Sequence, residues 1–149
     1  MAGKRSRGFS LVEVLVALVV MSVGMLGIAA LYLEGLRAGR TALYRTTAVT
    51  LAADMADRIR ANSTAQFSYA GTGPGTDSAC VNGASDCTPD QLADDDWLDW
   101  NNHLAAQLPE GTVGEIDVAG PAPVTYTITV AWPEIGQEDP ATYSLSVRL

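Results

Sequence analysis

A carboxylate inside hydrocarbon is the first group in this chain whose position calls for a chemical reason. Glu13 is the single charged residue in GFSLVEVLVALVVMSVGMLGIAALYL, residues 8–33, and follows Gly8 by five positions. A charged side chain near the middle of a membrane helix costs roughly 2.5–3.5 kcal/mol on insertion scales, so it needs a partner or a purpose. The other candidates lie further along. Cys80 and Cys87, with six residues between them, are the only cysteines. Asp94, Asp95, Asp96 and Asp99 cluster, and His103 is the only histidine. Calcium takes six to eight oxygens from a loop that bends around it, whereas consecutive helical residues diverge, so the aspartates read as acids favoured by a helix dipole. No acid–base pair, triad or metal cluster emerges, and the chain reads as a non-enzyme with no catalytic residue, cofactor or metal site.

The elements that must position these groups begin with the apolar run itself. Phe9 to Leu33 is 25 residues, about 38 Å as a helix and enough to cross a hydrocarbon core of about 30 Å with some tilt. The chain has a formal charge of −8, yet Lys4, Arg5 and Arg7 precede the run. After Gly8, six basic and seventeen acidic residues leave a balance of −11. The basic cluster predicts a cytoplasmic N-terminus and a translocated acidic bulk. That bulk should repel nucleic acid phosphates, and no nucleic acid partner is expected. In an exported segment the two cysteines are expected to form a disulfide. A secretory signal peptide has a shorter apolar core, 7–15 residues, and ends in a small-residue cleavage site. Here the glycine precedes the hydrophobic run and the acid follows the glycine by five positions, which is a different order.

These residues resemble the N-terminal signature of type IV pilins and of type II secretion pseudopilins. The likeness is carried by Lys4, Arg5 and Arg7, then Gly8, Phe9 and Glu13, then an unbroken apolar helix. It implies that prepilin peptidase cuts between Gly8 and Phe9 and that the new amine of Phe9 is methylated. Glu13 would become the fifth residue of the mature chain and take the N-terminal amine of a neighbouring subunit as its counter-charge. That pairing would offset the burial cost only when subunits dock in register. The alternative role for Glu13 is local: a residue near the membrane interface reaching headgroups or the helix dipole.

Beyond Leu33 the helix is expected to continue to about Asn62. Residues 34–59 lack proline, and Tyr44, Ala48, Leu51, Met55 and Ile59 recur at helical spacing. Arg37, Arg40, Arg45, Arg58 and Arg60 read as a solvated face, with Asp54 and Arg58 a surface pair. Residues 70–85 are rich in Gly, Ser and Thr and read as a surface loop. Thr88, Pro89 and Gln91 spell a helix start, and Pro109 with Gly111 a stop near Gln107. Between them Ala93, Trp97, Trp100, Leu104 and Leu108 share one face. The period then changes to two. Val124, Tyr126, Ile128, Val130 and Trp132 form one alternating strand; Tyr143, Leu145 and Val147 form another. Pro133–Pro140 connects them, and Val113–Ala119 is a weaker third strand.

The expected fold is therefore α+β and pilin-like: a long N-terminal helix, a small antiparallel sheet and an additional short helix. Its parts are a leader at 1–8, a transmembrane and assembly helix at 9–33, its amphipathic continuation at 34–62 and a periplasmic head at 63–149. The acidic Trp-containing helix ending Leu108-Pro109 and the Thr-rich strand ending Val130-Ala131-Trp132 are similar to the PilV group of minor pilins, the type IV pilus modification proteins. That resemblance implies a complex with other minor pilins that primes assembly at or near the pilus tip, supporting adhesion and twitching motility. The partners it implies are prepilin peptidase, other minor pilins, the major pilin, the inner-membrane assembly platform and membrane lipids. The rival classes are a type II secretion minor pseudopilin and a plain membrane-anchored periplasmic binding domain.

Overall fold

The computed structural model describes residues 8–80 and 86–149. The chain divides into two units, residues 1–40 and 41–149. One helix, α1 (Leu11–Ala61), contributes to both. Ser10 starts it: its Oγ accepts the Val12 N–H at 3.3 Å and its carbonyl accepts the Glu13 N–H at 3.0 Å, satisfying two of the donors a helix leaves open. No proline interrupts the 51 residues that follow. Within the first unit the apolar side chains Leu18, Val19, Val23, Leu26 and Ile28 are all exposed. The helix is long and apolar enough to cross a membrane, and an apolar surface with no stripe to bury belongs in lipid or among other helices.

In the second unit α1 changes character. Ala48, Leu51, Ala52, Met55, Ala56 and Ile59 are buried at spacings of three and four, while Tyr44 is partly buried. They join one core with Ile116, Tyr126, Ile128, Val130 and Trp132 from the sheet and Trp97, Trp100 and Leu104 from a second helix. The sheet consists of β1 (Val113–Ala119), β2 (Thr125–Trp132) and β3 (Ala141–Arg148) in the order β1-β2-β3, all antiparallel. Ile116, Ile128 and Leu145 lie in one row across it. The alternation expected of β2 is complete, with Tyr126, Ile128, Val130 and Trp132 buried. On the opposite face hydroxyls pair across the strands, Thr129 with Ser144 at 2.9 Å and Thr127 with Ser146 at 3.4 Å.

The second helix, α2 (Pro89–Gln107), has a full capping box: Thr88 Oγ1 accepts the Gln91 N–H, and Gln91 Oε1 accepts the Thr88 N–H. Trp97 and Trp100 meet edge to face with ring centroids 5.4 Å apart. The Trp100 Nε1 donates to the Leu51 carbonyl at 2.8 Å, stitching α2 to α1. Glycine is required opposite that ring, because a Cβ on Gly114 would lie 2.2 Å from Trp100 Cζ3. The long helix, the three strands and α2 thus match the expected architecture. Two features are additional: a short 3-10 helix at Gln66–Tyr69, and a bridge between Gly71 and Ile116 that draws the start of the Gly-rich segment against β1.

Candidate functional site

The bond between Gly8 and Phe9 lies ahead of the first helical turn, with both residues exposed. A peptidase needs extended backbone, and this peptide is outside the hydrogen-bonded helix that begins at Leu11. Glu13 sits in the first turn of α1 and is exposed. Phe9, Glu13, Val14, Ala17, Leu18 and Met21 share one face, so the carboxylate is surrounded by hydrocarbon of its own helix. Among the described residues no cation pairs with it. The first-turn position gives it the favourable end of the helix dipole, worth under about 1 kcal/mol at an exposed site, which is short of the cost of burying a charge. Lys4, Arg5 and Arg7 lie outside the described residues.

The head contains the opposite arrangement. Arg58, near the C-terminal end of α1, bonds three carboxylates: Asp54 at 3.0 Å, Asp96 at 3.2 Å and Asp99 at 2.7 Å. The Asp54 pair is the one its spacing indicates; the other two cross to α2. Arg58 is not part of a solvated face, since its side chain is only 21% exposed. Burial disfavours its charge, but the hydrogen bond to Asp99, the charge and bond of Asp54 and the bond to Asp96 outweigh it and raise the guanidinium pKa further. Asp96 also accepts from the Tyr69 hydroxyl at 2.6 Å, and Tyr69 accepts from Asn62 Nδ2 at 3.1 Å. Burial, then the bond to Asp96, pushes the Tyr69 pKa above its ordinary value. The end of α1, the 3-10 helix and α2 are locked by one polar chain.

Asp95 organises the neighbouring loop. Its carboxylate accepts the Ser78 and Cys80 N–H groups, the latter at 2.7 Å. Cys80 is disulfide-bonded to Cys87, the pairing read from the sequence. Reading the aspartate cluster as acids placed by the helix dipole therefore needs correction. Asp95 and Asp96 are buried, and each has specific partners contributed from outside α2. Their spacing gave no hint of this, because the partners lie 15 to 38 residues away in sequence. His103 is exposed. Among the described residues, no group of His, Cys, Asp and Glu is arranged to hold a metal.

Two family models match parts of the chain. The prokaryotic N-terminal methylation motif matches residues 3–29, and the type IV pilin Tt1218 family matches residues 30–98. Together the two matches support a type IV pilin. The first match contains Gly8, Phe9 and Glu13; the second contains Arg58, the disulfide and the start of α2 through Leu98. No curated protein and no solved structure matches the chain. A type IV pilin with a methylation motif points to a component of a pilus or pseudopilus, and implies processing by prepilin peptidase and association with other pilins.

Proposed function

We infer that this pilin is a minor subunit of the PilV group, which joins other minor pilins to prime type IV pilus assembly and is carried at or near the tip. Prepilin peptidase cuts between Gly8 and Phe9 and the Phe9 amine is methylated. The basic residues Lys4, Arg5 and Arg7 hold the N-terminus in the cytoplasm while the acidic head is exported, so the precursor is a single-pass inner-membrane protein before it enters the fibre. The fibre's adhesion and twitching motility follow from that role.

The observation that carries this reading is Glu13: a carboxylate with no cation partner among the described residues, on an apolar helix face five residues after Gly8. In a bundle of such helices it is tolerated once a positive group from a neighbour reaches it. The mature N-terminal amine of an adjacent subunit has the charge and the position. The helices then exchange lipid contacts for one another, and the carboxylate selects the register in which they do so.

Intact mass spectrometry of membrane and sheared-fibre fractions, with and without prepilin peptidase, tests this. Peptidase-dependent loss of residues 1–8 with one added methyl, and recovery of that species in sheared pili, is the expected result. Cleaved and methylated chain that co-purifies with a secretion machine and never with pili would assign it to a pseudopilus. An uncleaved chain in both backgrounds would overturn the reading and leave a membrane-anchored domain.

A further inference from the structure

Among the described residues the sheet is partly paired beyond β1 and unpaired beyond β3. At β1, Gly71 exchanges two backbone hydrogen bonds with Ile116, at 2.9 and 2.8 Å, and so takes up part of that edge. Among the described residues no segment pairs with the outer edge of β3. Which groups are open follows from the ladder. The Leu149 N–H donates to the Val124 carbonyl at 2.9 Å, in line with the β2–β3 register. Backbone groups alternate sides along an antiparallel strand. Tyr143, Leu145 and Val147 therefore turn their N–H and C=O groups to β2, and Thr142, Ser144, Ser146 and Arg148 turn theirs to the free edge.

Natural sheets blunt such edges with charge, proline, bulges or shortness. β3 has no bulge, and its single charge is Arg148 at its end. From Ala141 to Val147 it contains no charged residue, glycine or proline, and its pairing with β2 runs unbroken over eight residues. Its apolar row is also unfinished. Tyr143, Leu145 and Val147 are half-buried, whereas Tyr126, Ile128 and Val130 beside them are fully buried.

We propose that the free edge of β3 is a docking site for an extended segment of a different subunit of the assembly, apolar at alternate positions and carrying positive charge. This rests on the pilin reading. The apolar positions would complete the row begun by Tyr143, Leu145 and Val147, and the backbone would engage the four open residues. Charge identifies the occupant as another chain. Between Thr41 and Leu149 there are four basic and fifteen acidic residues, so a second copy brings like charge to like. Glu138 and Asp139 precede the strand, separated from it by Pro140, where a lysine or arginine of the partner would meet them.

Ser144 allows a clean test because its N–H faces away from β2, so Ser144→Pro blocks the edge without removing a ladder bond. Ser144→Ala controls for the lost hydroxyl contact to Thr129. The readout is the share of full-length chain recovered in sheared fibres relative to the membrane pool. Cleaved, disulfide-bonded S144P should fall at least tenfold in fibres while S144A stays near wild type, and S144K should lose more than S144D. S144P at the wild-type level overturns the edge, and a greater loss for S144D than for S144K overturns the basic partner. Should S144P fail to fold, hydrogen exchange on the wild-type chain decides. The Thr142, Ser144 and Ser146 amides should exchange fast in detergent and be protected in fibres; fast exchange in both overturns the proposal. An uncleaved wild-type chain absent from fibres is a separate result that overturns the pilin reading and this one with it.

Discussion

Glu13 and Arg58 lie on the same helix and solve the problem of a charge among apolar neighbours in opposite ways. Arg58 finds Asp54, Asp96 and Asp99 within its own chain, and Asp96 is tied onward to Tyr69 and Asn62. Glu13 has no cation among the described residues, and the side chains that share its face are hydrocarbon. A charge satisfied internally contributes to the fold. A charge left open on an apolar face contributes only when another molecule arrives, which is the assembly role proposed for Glu13. The two stretches of α1 differ in the same sense: one is apolar all round with its side chains exposed, and the other buries a single stripe against its own sheet and second helix.

If the head is self-contained, damage to it should appear as lost stability. The largest effect is expected at Trp100, whose ring is fully buried and whose Nε1 holds the Leu51 carbonyl. Trp100→Ala should cost about 3–5 kcal/mol, measured by denaturant unfolding of the detergent-solubilised chain; a loss below about 1 kcal/mol would mean that α2 does not anchor the core. Next comes the polar lock. Asp96→Ala leaves the Tyr69 O–H without its acceptor and one arm of Arg58 without its carboxylate, and should cost about 1–3 kcal/mol. Asp99→Ala removes a carboxylate that is 55% exposed and should cost under about 1 kcal/mol after solvent screening. Equal losses in the two variants would break the distinction between the buried and exposed arms of the network.

The smallest effect is in alkaline solution. Tyr69 and Tyr126 both have raised pKa values, Tyr69 from burial and its bond to Asp96, Tyr126 from burial. Below pH of about 10, the ordinary tyrosine value, both states keep these protons. Above it the unfolded chain releases them first, so stability falls as pH rises. Unfolding free energy measured at increasing pH should begin to decline above about pH 10, and Tyr69→Phe should flatten the decline. An unchanged slope in that variant would contradict the role assigned to Tyr69.

Much of this was readable in residues whose information is local. The long apolar helix follows from composition, β2 from period-two alternation, and the start of α2 from Thr88, Pro89 and Gln91, whose contacts are three residues apart. The disulfide was legible because Cys80 and Cys87 are the only cysteines and leave one pairing. The polar lock was not legible. Arg58 and Asp96 are 38 residues apart, and neighbouring aspartates with different fates look alike until the fold chooses among them. Asn62 looked only like a helix end, yet it is buried and donates to both Tyr69 and the Pro89 carbonyl. The 3-10 helix at Gln66–Tyr69 is four residues long, too short to display a period.

The central claim is that Glu13 is held in reserve for another subunit, and its most direct test is the fibre content of a Glu13→Val chain. The substitution removes the charge and leaves an apolar face, so membrane insertion, head stability and leader cleavage should match wild type. Recovery in sheared fibres should fall at least tenfold. Wild-type recovery of the cleaved Glu13→Val chain would contradict the account, because it would show that the helices find their register without the carboxylate.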